Sequence, residues 1–310
     1  MPSLSDVQKR IKSVKNTKQI TKAMEVVSAT KMRRAQELAL NARPYAFSAF
    51  DLLANASAKL SAKEKLPVLL TGNDSSKTLA IVVASDKGLA GSLNANVMRK
   101  AHAVVNELKA NGELDLATVG KKTRDYFAFR KFPIIKEFIG HGDYVDIAEI
   151  SDLHDFIFKA YADGVYGKVV FVYTNFLSTL RQEAVVRQAL PITREALNEL
   201  VAGLVPEKGR FSNLQTANYK LPTDIEPYLY EPGRERVIQE LADRLFKMML
   251  YHMQLEANAS EHSARMVAMK TASENAEEIV DDLTLIYNKG RQAKITQEIV
   301  EITSGSDAVG

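Results

Sequence analysis

Cysteine and tryptophan are both absent from the 310 residues. Without cysteine the chain can build no disulfide framework, no cysteine-ligated zinc or iron–sulfur centre and no thiol nucleophile, which is consistent with a reducing compartment. No run of about 18 apolar residues occurs, so nothing in the sequence predicts a membrane-spanning helix. The amino terminus also lacks the apolar stretch of a signal peptide. These absences argue against a disulfide-stapled secreted domain and against an integral membrane protein.

Glycine is missing from residues 1 to 71, and only Gly290, Gly305 and Gly310 lie after Gly233. The remaining glycines all lie in the middle of the chain, from Gly72 onwards. Because glycine destabilises the interior of a helix, this distribution predicts two helical ends around a middle of different structure.

Charge is also divided unevenly, although the net charge is only +3. Residues 1–45 carry ten Lys and Arg against three Asp and Glu, whereas residues 231–310 carry nine against fourteen. Opposite charge predicts that the two ends pair with each other. A basic arm for nucleic acid or for an anionic membrane surface is the alternative. Aromatic residues that could stack on bases are absent between Lys9 and Arg34.

The amino-terminal segment has the apolar spacing of an amphipathic helix. After a polar interruption at residues 16–18, we expect the apolar seam to resume with Ile20, Met24 and Val27 and to continue to Ala56. Ser3 or Ser5, followed by Asp6, suits the start of such a helix. Pro44 is expected to kink or break it. The first seam residues are Leu4, Val7, Ile11 and Val14.

The carboxy-terminal segment contains neither glycine nor proline from Arg234 to Lys289. A helix of that length is about 80 Å long, or about 100 Å if it continues to Ser304. Because this exceeds a compact domain of this mass, the helix must pair along its length or enter another protein. The predicted seam includes His252 and His262, which we interpret as seam residues without chemistry. Its other members are Leu241, Leu245, Met248, Leu255, Ala259, Met266, Met269, Ser273, Ala276, Val280, Leu283 and Tyr287.

The middle of the chain alternates β-branched apolar runs with helical patterns, which predicts an α/β unit with a largely parallel sheet between layers of helices. A further strand within residues 180–189 is expected at an antiparallel edge, and residues 193–224 are expected to form a loop, with one short helix as the alternative. The predicted strands are 78–84, 114–120, 132–140 and 168–176, and the predicted helices are 95–109, 122–129 and 147–161.

The turn from Ser85 to Ser92 precedes a predicted helix, and because helix amino termini bind anions, a phosphate site is one hypothesis for it. It matches neither the dinucleotide fingerprint nor the phosphate-loop pattern. We therefore predict a tight turn in which Gly88 and Gly91 supply special backbone angles and Ser92 or Asn94 caps the next helix. His141 and Asp143 are likewise interpreted as part of a turn rather than as an acid–base pair.

Three segments together carry a resemblance to a known family. They are IKSVKNTKQITKAMEVVSATKMRRAQ near the start, SDKGLAGSLN in the middle, and SARMVAMKTASENAEEIVDDLTLIYNKGRQAKITQEIVEITSGS near the end. In this order they closely resemble the γ subunit of bacterial F-type ATP synthase, and the resemblance covers essentially the whole chain.

The resemblance implies an antiparallel coiled coil of the two terminal helices and a central Rossmann-like α/β domain. The implied domains are residues 1–60, 75–230 and 231–305. It also implies a rotor shaft that couples proton-driven rotation of a membrane c-ring to the catalytic β subunits. The implied partners are the ring of α and β subunits, the ε subunit and the c-ring, with no nucleic acid and no disulfide partner.

The family role further implies no catalytic residue, metal or cofactor in this chain, and a peripheral location on the cytoplasmic face of the bacterial inner membrane. Asp86 and Lys87 match a turn near the ring of α and β subunits, and Gly290 departs from the helix-favouring residue often found there. Tyr228, Tyr230 and Glu231 match the region that touches the ε subunit and the c-ring. Positions that match contacts with the β subunits are Arg291, Gln292, Arg33, Arg34, Met24, Lys9, Lys18 and Lys22.

Overall fold

The computed structural model describes residues 3–58, 66–140, 145, 147–193 and 230–307. By its contacts the chain divides into two compact units, Met1–Ser28 with Arg265–Gly310, and Ala29–Ala264. The first unit is built from the outer parts of two long helices. The second contains a five-stranded sheet and the remaining helices.

The amino-terminal helix α1 spans Leu4–Ala58. At its start the Ser3 hydroxyl accepts a hydrogen bond from the Asp6 amide at 3.2 Å and donates one to the Asp6 carboxylate at 2.7 Å, which confirms the predicted capping. Of the kink or break predicted at Pro44, the break is wrong, because the helix continues beyond it. Proline inside a helix removes one hydrogen bond, at a cost of about 3 kcal/mol. Burial of Ala49 and Leu53 in the core of the second unit favours continuation.

The carboxy-terminal helix α6 spans Arg234–Asp307 and passes through Gly290 without interruption. Every residue predicted for its seam is buried or half-buried, including His252 and His262. The seam prediction for this helix is therefore confirmed.

The sheet has the strand order β3-β2-β1-β4-β5. β1, β2, β3 and β4 run parallel, and β5 pairs with β4 in the antiparallel direction at one edge. This confirms the predicted α/β topology and the antiparallel edge strand. The bounds are α2 (Val68–Thr71), β1 (Thr78–Val83), α3 (Leu93–Asn111), β2 (Leu114–Val119), α4 (Lys121–Phe129), β3 (Ile134–Phe138), α5 (Ile147–Ala162), β4 (Lys168–Phe176) and β5 (Gln182–Leu190).

Both faces of the sheet are covered, because successive strand residues belong alternately to two apolar clusters. On β1, Ala80 and Val82 pack with α3 and α4, whereas Leu79, Ile81 and Val83 pack with α5 and with the α1 and α6 segments of this unit. Strands buried on both faces explain why β1 and β4 are continuous apolar runs in the sequence.

Candidate functional site

The two long helices run antiparallel in the first unit, and two contacts show this. The Lys18 ammonium lies 2.8 Å from Oε1 of Glu277. Gly290 lies beside Leu4, whose Cδ2 is 2.9 Å from the place where a Cβ on residue 290 would be. As residue numbers rise on α1 they fall on α6, so the predicted antiparallel pair is confirmed.

The inward face of α1 in this unit differs from the predicted seam. Its less exposed positions continue at spacings of three and four from Val14 through Lys18 and Thr21 to the buried Ser28. Ile20 and Val27 are 61% and 51% exposed, so their assignment to the seam is wrong. Two residues along a helix correspond to about 200° of rotation, which places Ile20 on the face opposite Lys18. The inward face of α1 therefore continues through the polar residues at the regular helical spacing, and the apolar side chains of Ile20 and Val27 lie on the exposed face.

The basic residues predicted on α1 lie in different environments. Lys18 is half-buried and bound to Glu277 of α6. Lys22 bonds Glu25 at 3.0 Å within α1, and Arg34 lies 3.7 Å from Glu37. Lys9 and Arg33 are exposed, and Met24 is half-buried. Most of these charges are therefore on an outward surface, where ion pairs stabilise by less than about 1 kcal/mol.

Arg291 and Gln292 are fully helical and exposed on α6. They directly follow Gly290, the residue against Leu4, so they lie where the start of α1 meets α6. Helical backbone and an outward position leave both side chains free to extend toward a partner.

The turn after β1 is organised by Asp86. Its carboxylate accepts hydrogen bonds from the Lys121 amide at 2.7 Å and the Gly140 amide at 3.0 Å. Lys121 is the first residue of α4, where an exposed N–H attracts an anion. A carboxylate of the chain itself thus occupies the place that a phosphate oxygen would take at this helix end, and the loops after three parallel strands are joined.

Backbone angles in this turn differ in part from prediction. Gly91 has a φ of +57°, as expected for a special glycine, but the other left-handed residue is Leu89, with a φ of +63°. Asn94 does not cap its own helix here, because its Oδ1 accepts a 2.9 Å hydrogen bond from the Ser85 hydroxyl. Lys87 and Leu89 are exposed. The turn thus presents an ammonium and an apolar side chain at the carboxyl edge of the sheet.

The residues predicted near the ε subunit and the c-ring lie just before α6. Tyr230 is half-buried, with the Arg234 guanidinium 5.2 Å from its ring centroid, and Glu231 is exposed. Tyr228 lies outside the described residues, as do His141, Asp143 and nearly all of the predicted loop at 193–224.

A buried polar cluster was missed by the sequence analysis. The Tyr173 hydroxyl of β4 donates a 2.7 Å hydrogen bond to Oε2 of Glu256 on α6, and Nη1 of Arg187 on β5 lies 3.6 Å from the same oxygen. Glu256 and Arg187 are 4% and 9% exposed. A carboxylate amid the apolar spacing of 252–263 was the available signal, but its partners are far away in the sequence.

Two tyrosines near the amino-terminal edge of the sheet have raised pKa values. Burial raises the pKa of Tyr161 to about 12. The pKa of Tyr166 is raised by burial and then by the hydrogen bond that its hydroxyl donates to Asp115 at 2.8 Å. Both groups are protonated at neutral pH, and neither belongs to a predicted contact.

Across the described parts of the chain, no cluster of histidine and acidic side chains has the composition of a metal site. Within the same parts, no helix is both long and apolar enough to cross a membrane.

Comparison with known proteins agrees with the resemblance given by the three motifs. A family model described as ATP synthase matches residues 3–309. The ATP synthase gamma chain of Chloroflexus aurantiacus (strain J-10-fl) is 38% identical over 311 residues, which cover 100% of this chain and 99% of that protein. The ATP synthase gamma chain of Pelotomaculum thermopropionicum is 38% identical over 309 residues, covering 100% of both.

A chain of the Euglena gracilis mitochondrial ATP synthase, from a structure in rotational state 3 that includes the c-ring, shares the fold. Its TM-score is 0.60 at 15% sequence identity, and the match covers 99% of this chain and 94% of that chain. Full-length identity to named gamma chains and the family match lead to one conclusion. This chain belongs to the ATP synthase gamma-chain family.

Proposed function

We propose that this chain is the central rotor shaft of an ATP synthase, carrying the rotation of an ion-driven c-ring to the catalytic β subunits. The observation that carries this proposal is the exposed surface of the two long helices in the first unit. Large apolar side chains are exposed along both helices, as expected of a surface that partner subunits cover. They are Ile20, Val26 and Val27 on α1, and Ile279, Leu285, Ile286, Ile295, Ile299, Val300 and Ile302 on α6.

The shaft acts through its asymmetry, because its different sides offer different contacts to the surrounding β subunits. A β subunit changes its nucleotide affinity only as far as its contacts with the shaft differ among its conformations. The basic side chains of α1 and the acidic side chains of α6 make such differences, since each face of the pair carries its own charges. We assign no catalytic residue, metal or cofactor to this chain, and place nucleotide chemistry on the surrounding α and β subunits.

The contacts with the β subunits are assigned to residues of the pair, most of them polar and outward; Lys18 and Met24 are half-buried. Arg291 and Gln292 are placed against a β-subunit loop, and their exposed helical position supports this. The basic residues of α1 are placed against acidic loops, with Met24 where α1, α6 and a β subunit meet. These basic residues are Lys9, Lys18, Lys22, Arg33 and Arg34.

The α/β unit is proposed as the base of the shaft. Asp86 and Lys87 are placed near the ring of α and β subunits, with Asp86 holding the turn and Lys87 pointing outward. Tyr228, Tyr230 and Glu231 are placed against the ε subunit and the c-ring. The complex would hold this chain at the cytoplasmic face of the bacterial inner membrane as a peripheral subunit. The divisions at 1–60, 75–230 and 231–305 stay a prediction.

Co-expression with bacterial α and β subunits tests the proposal. We expect the chain to copurify in a complex that hydrolyses ATP, as a known gamma chain does in a parallel preparation. A chain that stays outside while the known gamma chain assembles would contradict the proposal.

The contact assignment is tested in the same complex with Arg291→Ala and Gln292→Ala combined. Loss of a charge-assisted contact costs about 1.5–3 kcal/mol, so we expect reduced assembly or turnover. Lys294→Ala is the matched control, because Lys294 is exposed on the same helix and lies 3.8 Å from Glu298 in an ordinary surface pair. Unchanged assembly and turnover in the double variant would remove both residues from the assigned contact.

A further inference from the structure

We propose that Glu256, Tyr173 and Arg187 form a rotational lock that fixes α6 to the sheet, so that torque passes between the α/β base and the shaft helix at this point. The inference rests on the proposed rotor function and assigns a mechanical role to three residues that no motif identifies. These three side chains together are called the lock.

The first support is the chemistry of the contact. The Tyr173 hydroxyl bonds the Glu256 carboxylate at 2.7 Å inside the protein, and the Arg187 guanidinium lies 3.6 Å from the same oxygen. The guanidinium also lies 5.6 Å from the centroid of the Tyr173 ring. One carboxylate of α6 thus accepts a hydrogen bond from Tyr173 on β4 and faces the opposite charge of Arg187 on the neighbouring strand β5.

The second support is a row of hydrogen bonds along the same face of α6. Ser260 donates to the carbonyl oxygen of Thr174 at 3.2 Å, and Ser263 donates to that of Thr179 at 2.7 Å. Gln182 donates to the Ser263 hydroxyl at 3.3 Å. Residues 256, 260 and 263 are spaced by four and three, so they lie on one side of the helix. The lock therefore continues as two further attachments to β4 and its following turn.

The third support is the difference between polar and apolar contacts under torque. Apolar burial is non-directional. A helix packed only through apolar side chains therefore resists separation from the sheet more than it resists rotation about its own axis. Hydrogen bonds need distances near 2.9 Å and nearly linear geometry, so they break when the helix turns or slides. Just before the lock, the core side chains of α6 include the apolar Leu245, Met249 and Met253. There Lys247 donates a 2.8 Å hydrogen bond to Ser151 of α5. Toward the sheet and its following turn, the described hydrogen bonds of this part of α6 are those of Glu256 and the two serines.

Burial makes the lock strict. A buried carboxylate separated from its partners loses solvation without compensation, which is strongly unfavourable. A rotation that pulled Glu256 away from Tyr173 and Arg187 would therefore be opposed by more than the loss of one surface hydrogen bond. Exposed ion pairs elsewhere on α6, such as Arg236 with Glu240 at 3.4 Å, offer no such resistance.

The test uses the assembled ATP synthase in inverted membrane vesicles, with ATP hydrolysis and ATP-driven ion pumping measured on the same preparation. Tyr173→Phe keeps the ring and removes only the hydroxyl. Ser263→Ala removes the hydroxyl that donates a hydrogen bond to the carbonyl oxygen of Thr179. Glu256→Gln keeps the shape and removes the charge. Glu240→Gln is the matched control on the exposed side of α6, since that side chain is 57% exposed.

We expect the Tyr173→Phe, Ser263→Ala and Glu256→Gln complexes to assemble and hydrolyse ATP, while their ratio of pumping to hydrolysis falls below that of the wild type and of Glu240→Gln. Tyr173→Phe removes the hydrogen bond, whereas Glu256→Gln keeps an acceptor for the Tyr173 hydroxyl and removes the charge that faces Arg187. The two combined should therefore lower the ratio more than either alone. Variants that lose thermal stability but keep the wild-type ratio would overturn the lock, since a merely structural role predicts that result. Failure of the wild-type chain to assemble would instead contradict the rotor function itself.

Discussion

Gly290 and Leu4 face each other across the antiparallel helix pair, so closely that a Cβ on residue 290 would lie 2.9 Å from Cδ2 of Leu4. The obstructing atom is the end of a flexible side chain rather than backbone. A small rotation of Leu4 therefore makes room for one methyl group, but not for a branched side chain.

For Gly290→Ala we expect a gain in stability of up to about 1 kcal/mol, because alanine favours a helix interior over glycine by that amount. Gly290→Val should instead destabilise the pair, since a branched side chain cannot fit against Leu4 by the same small movement. Thermal unfolding of the full chain, followed by helical circular dichroism, measures both. A Gly290→Ala chain that unfolds at a lower temperature than the wild type would show that contact with Leu4 outweighs helix propensity.

The ion pair between Lys18 and Glu277 should contribute little to stability despite its 2.8 Å length. The two side chains are 36% and 60% exposed, so water and salt screen their attraction. A double-mutant cycle of Lys18→Ala and Glu277→Ala should give a coupling free energy below about 1 kcal/mol, decreasing at high salt. A larger, salt-independent coupling would show that the pair is buried in the folded protein in solution.

Asp86→Ala should destabilise the α/β unit by about 2 kcal/mol, because two backbone N–H groups lose a charged acceptor. Denaturant unfolding measures the change. Asp125→Ala is the matched control: Asp125 is exposed and binds Arg124 at 2.7 Å on the surface, so its loss should cost less than about 1 kcal/mol. Equal losses in the two variants would contradict the role given to Asp86.

Tyr161 should make stability fall in alkali. Its pKa is raised to about 12 by burial, so the folded chain keeps this proton at a pH where the unfolded chain has released it. The stabilisation is present below about pH 10 and is lost as the pH rises from about 10 to about 12. Unfolding midpoints over this range should decline less steeply in Tyr161→Phe than in the wild type. An identical decline would show that the hydroxyl is hydrated in the native state.

At neutral pH the two tyrosines should respond differently to replacement by phenylalanine. Among the described residues the Tyr161 hydroxyl has no hydrogen-bond partner, so Tyr161→Phe should leave stability unchanged or raise it slightly. Tyr166→Phe loses a 2.8 Å bond to the Asp115 carboxylate and should cost about 1.5–3 kcal/mol. Denaturant midpoints at pH 7 compare the two variants directly. A larger loss in Tyr161→Phe than in Tyr166→Phe would contradict the assignment of hydrogen bonds.

The architecture was predictable because its signals are local. β1 and β4 are continuous β-branched runs, and the seam of α6 repeats without interruption, so short windows suffice to identify them. The local rule for Pro44 predicts a kink or a break, and the break does not occur because α1 continues into packing that involves Ala49 and Leu53. Tertiary packing overrode propensity at that point.

The candidate contacts were less predictable because they depend on direction and on distant partners. Polarity suggested that the seam of α1 stops before Lys18 and resumes at Ile20, but the helix period continues through Lys18 and leaves Ile20 outside. Asp86 and Glu256 gave no sequence signal of their roles, since each is defined by groups far along the chain. The acidic residue in the turn and the charge within an apolar stripe were visible, but their partners were not.

The antiparallel pairing of Leu4 with Gly290 also sets an order of events during synthesis. At about 5–20 residues per second, the ribosome needs on the order of 15–60 s to make the chain between them. Throughout that time the start of α1 lacks the part of α6 that covers its inner face. The nascent segment is strongly basic and carries Lys18, Thr21 and Ser28 on that face. Both properties oppose its aggregation with other nascent chains before α6 is made. Polar residues on the inner face of α1 therefore lower the tendency of the nascent segment to aggregate, in addition to their contacts in the folded protein.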